Sequence, residues 1–155
     1  GNKNRYTLHD FDLVNVDNNN AELLIEYKFA SDNTIIQHEG DYIINPVLFR
    51  PRLTQFNAAD YQYDRSKAHH RSVDYEYRFT IPAGFKLKNL PENISFKHDL
   101  FHFDAKYSVE GNVVITSLTY EYHLLVIPTT LFNDWNAFSD SVNKASAQNI
   151  VFQKI

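Results

Sequence analysis

The chain contains no cysteine, no methionine and four glycines among its 155 residues. The absence of cysteine excludes a disulfide, a thiolate metal site or a cysteine nucleophile within this sequence. The glycines lie far apart, at positions 1, 40, 84 and 111, so no glycine-rich phosphate-binding loop can form. No apolar run approaches the ~18 residues that a membrane-spanning helix requires. These absences exclude several classes of enzyme and membrane protein.

The chain also lacks an excess of basic residues. It has 15 Lys and Arg against 19 Asp and Glu, which gives a net charge of −4. A nucleic-acid-binding surface requires a basic stripe that neutralises the phosphate backbone, and the sequence shows none. We therefore expect no nucleic-acid partner.

The length predicts one domain, because 155 residues can bury roughly two-thirds of their unfolded surface without a metal or disulfide. We accordingly expect no cofactor. The chain begins with Gly1-Asn2-Lys3 instead of methionine. We interpret it as a domain excised from a larger protein, with any targeting signal further upstream.

Aromatic and alternating residues predict a mainly β fold. The chain has 12 Phe and 10 Tyr, residue types that suit pleated and half-buried surfaces. Apolar and polar residues alternate most clearly over residues 72–81, which predicts a strand with one buried face. Similar patterns predict further strands at 5–16, 21–29, 34–38 and 41–49.

A long hairpin follows, with its turn at Gly111-Asn112. If residue i pairs with residue 223 − i, apolar residues fall on one face and polar residues on the other. The apolar pairs include Phe101 with Tyr122, and the polar pairs include His102 with Glu121. This separation of the two faces supports the register.

Residues 129–147 are predicted to form a helix that begins after Pro128. Its apolar stripe has helical spacing and consists of Leu131, Trp135, Phe138, Val142 and Ala145. A short final strand follows at 150–152. Many strands with one terminal helix predict a single two-sheet β-sandwich over residues 1–155, immunoglobulin-like in architecture, with one C-terminal helix.

Residues 45–70 form a long irregular connection, which is unusual inside a compact domain and is often functional or disordered. Residues 53–63 could form a short helix, since Leu53, Phe56 and Ala59 or Asp60 are helically spaced. Phe56, Tyr61 and Tyr63 are the possible ligand contacts here, because exposed aromatic rings can stack on sugars. The alternative is that these rings pack into the core or on a neighbouring domain.

The sequence offers no recognisable catalytic constellation. Seven histidines prompt a search for a metal site, and His98 with His102 and Glu121 would give two imidazoles and one carboxylate. A solvent-facing polar pair explains His102 and Glu121 better, because no third ligand or supporting shell is evident. There is also no Gly-x-Ser-x-Gly motif. We predict no catalytic, metal or cofactor-binding residue and a chain that is not an enzyme.

Several short segments follow one another at characteristic spacing. They are GDY at 40–42, IPAGF at 81–85, LPEN at 90–93, YSVEGN at 107–112, IP at 127–128 and NIVFQK at 149–154. With the segments from residue 81 onward, residues 70–155 resemble the C-terminal domain of unknown function that follows the transglutaminase-like core in large secreted proteins of Gram-negative bacteria. The segment at 40–42, in the first half of the chain, is also similar to that domain.

The resemblance implies an accessory role beside a papain-like core, with the catalytic Cys, His and Asp of that core lying upstream. The implied partner is this upstream core in the same polypeptide, and the implied location is the periplasm, the cell envelope or the exterior. The function predicted first is a structural or interaction module attached to the core. The alternative is a glycan- or peptide-binding module that uses residues 53–70.

Overall fold

A computed structural model of the protein describes residues 6–18, 24–31, 34–48, 53–57, 59, 65–66 and 71–155. The chain divides into two compact units, residues 1–36 and 37–155. The two strands of the first unit pair with each other. The single domain over residues 1–155 stays a prediction.

The N-terminal unit consists of strands β1 (Tyr6–Val14) and β2 (Leu24–Ser31), which correspond to the predicted strands at 5–16 and 21–29. They pair antiparallel, with Leu13 opposite Ile25 and Leu8 opposite Phe29. A β-bulge lies between Leu8 and Asp10. The extra residue restores Leu8 to the face that carries Leu13, because each bulge shifts the alternation by one residue.

The remaining elements follow in chain order. They are β3 (Ile35–His38), β4 (Asp41–Ile44), β5 (Arg65–Ser66), β6 (Arg71–Thr80), β7 (Phe85–Asn89), β8 (Ile94–His98), β9 (Phe101–Glu110), β10 (Val113–Tyr122), β11 (Val126–Ile127), a 3₁₀ turn (Thr129–Leu131), helix α1 (Phe132–Ala147) and β12 (Ile150–Lys154).

The first large sheet has the strand order β6-β10-β9-β8, and each neighbouring pair is antiparallel. The β9–β10 register places Phe101 opposite Tyr122 and His102 opposite Glu121. Both pairs follow the predicted rule of 223 − i, so the register is confirmed. Gly111 in the connecting turn has a φ of +59°, a conformation that glycine adopts without steric cost.

The second large sheet has the order β3-β4-β12-β7. The C-terminal strand β12 therefore lies inside the sheet, antiparallel to both β4 and β7. Ile150 is opposite Ile44 and Phe152 is opposite Leu87. β5 and β11 form a separate two-stranded sheet. The sequence does not predict β7 and β8 as strands.

One face of the first sheet forms the main core. Helix α1 covers one end of this face, where the Trp135 ring lies 5.7 Å from Phe101 and 5.8 Å from Tyr122. At the other end, Val114 packs with Phe152 and Ile150 of the second sheet. Helix and second sheet thus cover the same face, since alternate residues of a strand share a side.

The structure confirms a mainly β fold with one C-terminal helix, and its two four-stranded sheets are consistent with a β-sandwich. The immunoglobulin-like architecture stays a prediction. The predicted helix at 129–147 is present as the 3₁₀ turn followed by α1, and Trp135, Phe138, Val142 and Ala145 of the predicted stripe are buried.

The possible short helix at 53–63 is wrong for residues 53–57, because these described residues have no helical structure. Side chains of α1 instead form hydrogen bonds with the backbone polar groups of this segment. The indole N–H of Trp135 donates to the carbonyl oxygen of Thr54 over 2.8 Å. A backbone whose polar groups bond another element in this way gains nothing from turning into a helix.

Candidate functional site

Phe56, the first of the three candidate ligand contacts, lies in the core with 7% of its surface exposed. Its ring centroid is 5.0 Å from that of Phe132 and 6.4 Å from that of Trp135. Its backbone is also fixed, because the Asn136 side chain accepts from the Phe56 N–H and donates to the Phe56 carbonyl oxygen. Phe56 therefore has the role of core packing, and it presents no ring face to a sugar.

Tyr61 and Tyr63, the other two candidates, lie outside the described residues. The described segment before them, residues 53–57, is held along α1 at further points. The Gln55 amide donates to the Asp140 carboxylate over 2.5 Å, and the Ser139 hydroxyl lies 3.5 Å from the carbonyl oxygen of Leu53. Residues 53–57 thus lie along the helix and are held there by hydrogen bonds to its side chains. These described residues form no concave aromatic surface.

A polar cluster lies on the outer face of the first sheet, around His102. The imidazole Nε2 is 3.0 Å from Asp104 Oδ2, and Nδ1 is 3.4 Å from Glu121 Oε1. His123 approaches the second oxygen of Glu121 at 3.6 Å. Nδ1 of His102 is thus within hydrogen-bonding distance of Glu121, whereas Nε2 lies close to Asp104 without forming a hydrogen bond among the described residues.

Asp104 is the described carboxyl group with a resolved pKa shift. Its burial acts to raise its pKa, but a hydrogen bond from the Ser95 side chain and the charges of His102 and Lys106 outweigh that effect. The pKa of Asp104 is lowered from its ordinary value of 3.8. A carboxylate that is more readily ionised than usual stabilises the cluster, and it is a poor proton donor at neutral pH.

His98 and His102 do not form a two-histidine site. His98 stacks on Phe101, with 4.2 Å between ring centroids, and lies on the core-facing side of the sheet. His102 is on the opposite side, because it follows Phe101 directly along β9. Within the described ranges, no group of three or more His, Asp or Glu residues is arranged to hold a metal ion.

A small cavity lies under α1, lined by Val47, Phe103, Leu118 and Val142 among others. Its volume is about 10 Å³. A single water requires roughly 10–15 Å³ on this measure, so a substrate-sized ligand cannot occupy it. The space reflects imperfect packing between helix and sheet.

The most prominent surface feature of the described residues is one face of the β1–β2 hairpin, which we call the hairpin apolar face. It consists of Leu8, Phe11, Leu13, Ile25 and Phe29, which are 41% to 61% exposed. The β-bulge and the cross-strand register place all five on the same side. The opposite side is charged and carries Asp10, Asp12, Glu26 and Lys28.

The hairpin apolar face is unusual for two physical reasons. Exposed apolar residues are ordinary when they are scattered, but a contiguous cluster of large ones marks an interaction surface. A two-stranded hairpin is also only marginally stable in water unless another layer covers its apolar side. Among the described residues, β1 and β2 pair with each other and with no third strand. The face thus has the properties of a docking surface.

Comparison with known protein families gives one match. The family described as a domain of unknown function with solved structure, DUF3858, matches residues 40–152. No curated protein and no solved structure matches the chain. In the described part of the chain, no helix has the length and apolar character needed to cross a membrane.

Proposed function

We propose that the chain, which belongs to the DUF3858 family, is a non-catalytic accessory module that docks on a transglutaminase-like, papain-fold core of the same polypeptide. The observation that carries this proposal is the hairpin apolar face. In the arrangement that the sequence resembles, the core precedes this domain. The hairpin is the first described element, so among the described elements it would be the nearest in sequence to such a core.

The apolar character of the hairpin apolar face is suited to packing against a neighbouring folded domain. Its side chains are aliphatic and aromatic, and they form cross-strand pairs such as Leu13 with Ile25. Burying this surface against another domain contributes roughly 25 cal/mol for each Å² of apolar area removed from water. Interfaces between domains of one chain bury about 600–1,500 Å², a size that a small face and its surroundings can provide.

The module would act by position and not by chemistry. It would hold the core at a fixed place relative to the cell envelope, and the catalytic cysteine would belong to the core, since this sequence contains none. A periplasmic or secreted location belongs to this proposal, since it follows from the resemblance. The glycan- or peptide-binding alternative has weaker support, because Phe56 is in the core.

The first test is the identity of the sequence upstream in the native protein, read by mass spectrometry of the intact polypeptide. A transglutaminase-like core with Cys, His and Asp in order is the expected result. A native polypeptide without such a core would exclude the accessory role.

The second test is amide hydrogen exchange over β1 and β2 in the full-length protein and in this chain alone. We expect much slower exchange in the full-length protein, because docking would protect the hairpin. Phe11→Ser in the full-length protein should restore fast exchange, whereas Asp12→Ser on the charged side should not. Equal exchange in both proteins would show that the hairpin is not the docking element.

A further inference from the structure

Strand β6 is the outermost strand of the first large sheet. Among the described residues it pairs on one side only, with β10, over an unbroken register of ten residues. Its core-facing side chains Val73, Tyr75, Tyr77 and Phe79 are half-buried. A long and regular edge strand of this kind offers a row of backbone N–H and C=O groups to another strand.

The other outer strands of the two large sheets carry the features that block such pairing. β7 and β8 have five residues each, and β3 has four. β7 contains Lys86 and Lys88, and β8 contains Lys97. Short length and lysine are common protections of sheet edges. β6 contains neither lysine nor proline, so its edge is open by comparison.

The hydrogen-bond pattern identifies which residues of β6 face the open edge. The N–H of Ile81 donates to the carbonyl oxygen of Asn112 over 2.8 Å, one step beyond the β6–β10 ladder. In an antiparallel pair, residues that bond the neighbour alternate with residues that do not. The odd-numbered residues of β6 therefore bond β10. The even-numbered residues direct their backbone polar groups outward: Ser72, Asp74, Glu76, Arg78 and Thr80.

We propose that β6 pairs antiparallel with β6 of a second copy of this chain, across a twofold axis at Tyr77. The sheet then continues through the dimer as eight strands. In this register the numbers of paired residues add up to 154, so Glu76 lies opposite Arg78 of the second copy, and Arg78 opposite its Glu76. These are even-numbered residues, so their outward backbone groups meet as a hydrogen-bonded pair.

The charges select this register over its neighbours. Moving the twofold axis from residue 77 to residue 76 places Glu76 opposite Glu76, and moving it to residue 78 places Arg78 opposite Arg78. Like charges directly opposite each other in a sheet are unfavourable, whereas opposite charges stabilise it. Both side chains are exposed and available, at 53% for Glu76 and 59% for Arg78. Within one chain they already contact each other at 2.7 Å, so each arginine would bridge two carboxylates.

The core-facing side of β6 is compatible with the same register. Tyr77 would meet Tyr77 of the second copy, and Tyr75 would meet its Phe79. Tyr75 and Tyr77 already stack, with 5.9 Å between ring centroids and 10° between planes. Cross-strand aromatic pairs of this kind contribute to sheet stability, so pairing would extend an existing aromatic row.

Charge reversal tests the proposal through the oligomeric state, measured by sedimentation equilibrium of the 155-residue chain. We expect the wild-type chain to dimerise, and Glu76→Arg and Arg78→Glu each to weaken the dimer about tenfold or more, because two attractive pairs become two repulsive ones. An equimolar mixture of the two variants should form a heterodimer, since both cross-strand pairs between positions 76 and 78 then join opposite charges. Both sites are exposed, and circular dichroism would verify that each variant is folded.

Single cysteines test the register directly, because the chain has no other cysteine. Tyr77→Cys should form a disulfide-linked dimer on mild oxidation, since position 77 faces its own copy at the twofold axis. Glu76→Cys and Arg78→Cys are matched controls and should cross-link far less, because each faces a different residue of the second copy. Preferential cross-linking at 76 or 78 would overturn the register.

A wild-type chain that stays monomeric at the highest concentration at which it remains in solution would overturn the proposal, as would a dimer that both charge reversals leave unchanged. Pairing of β6 with a strand of a different protein, and not with itself, would give the monomeric result. None of these experiments involves β1 or β2. The proposal can therefore fail independently of the proposed accessory function.

Discussion

Asn136 holds both backbone polar groups of Phe56. Its Oδ1 accepts from the Phe56 N–H over 2.8 Å, and its Nδ2 donates to the Phe56 carbonyl oxygen over 2.6 Å. One amide side chain on α1 thus forms the two backbone hydrogen bonds that a neighbouring strand would otherwise provide. This relationship explains how the irregular segment 53–57 places an aromatic ring in the core without belonging to a sheet.

Replacing Asn136 by alanine should lower the free energy of unfolding by about 1–3 kcal/mol, because two backbone groups lose their partners in a partly buried place. Urea denaturation would measure the change. Asn133→Ala is the matched control, since Asn133 is exposed on the same helix, and it should change stability by less than about 0.5 kcal/mol. Equal effects of the two substitutions would contradict the role of Asn136.

The β3–β4 turn contains a residue with a strained backbone, and a substitution there should relieve the strain. Glu39 has a φ of +49° and Gly40 has a φ of +87°, the combination of a two-residue hairpin turn. Glutamate is unfavourable in the left-handed region, whereas asparagine tolerates it. Glu39→Asn should therefore raise the free energy of unfolding by roughly 0.5–1 kcal/mol. Glu39→Gln removes the same charge without favouring the turn, so a similar gain from glutamine would refute the explanation.

Tyr107 should make the protein sensitive to alkali. Burial raises the pKa of Tyr107 from 10.0 to about 12. The unfolded chain releases this proton more readily than the folded one, so the protein loses stability as the pH rises from 10 towards 12, and this loss is absent below pH 10. Tyr107→Phe should reduce this alkaline loss. Burial also raises the pKa of Tyr120 to about 12, so part of the loss should persist.

The same substitution should cost little at neutral pH. The Tyr107 hydroxyl is buried and has no hydrogen-bond partner among the described residues. Removing an unsatisfied buried hydroxyl is neutral or stabilising, by up to about 1 kcal/mol. Urea midpoints of the wild type and of Tyr107→Phe at pH 7 and at pH 11 would measure both effects. An unchanged alkaline profile, or a marked loss at pH 7, would contradict the prediction.

Asp104 should contribute to stability at neutral pH and not in acid. Its pKa is lowered in the folded protein, so the unfolded chain binds the proton more tightly. The contribution is present above the ordinary value of 3.8 and is lost as the pH falls through the lower folded value. Asp104→Asn should destabilise the protein at pH 7, and the difference from wild type should shrink well below pH 3.8. A difference that is constant with pH would exclude this ionic origin.

The β9–β10 hairpin shows what a local pattern can predict. Its two strands alternate regularly around Gly111, and the separation of polar and apolar pairs allowed one register, which the structure confirms. The helix could be predicted equally well from the sequence, because the spacing of its apolar stripe defines one buried side. In both elements, the residues that decide the structure are close together in the sequence.

The histidines show where local reasoning stops. His98 and His102 are four residues apart, but a two-residue turn at 99–100 separates β8 from β9, so Lys97 and not His98 is opposite His102. Phe56 is similar, because its burial depends on Asn136, which is 80 residues away. A one-residue change of register or an unseen turn moves a side chain to the other face of a sheet.

The sequence by itself determined the mainly β class, the register of the longest hairpin, the buried side of the helix and the absence of a cysteine nucleophile. Tertiary structure alone decided that β12 lies between β4 and β7, that Phe56 is in the core and that β6 forms an edge. The exposure of the hairpin apolar face was also decided only by the tertiary structure. Alternation and helical spacing are local properties, whereas pairing partners and exposure depend on contacts between residues far apart in the chain.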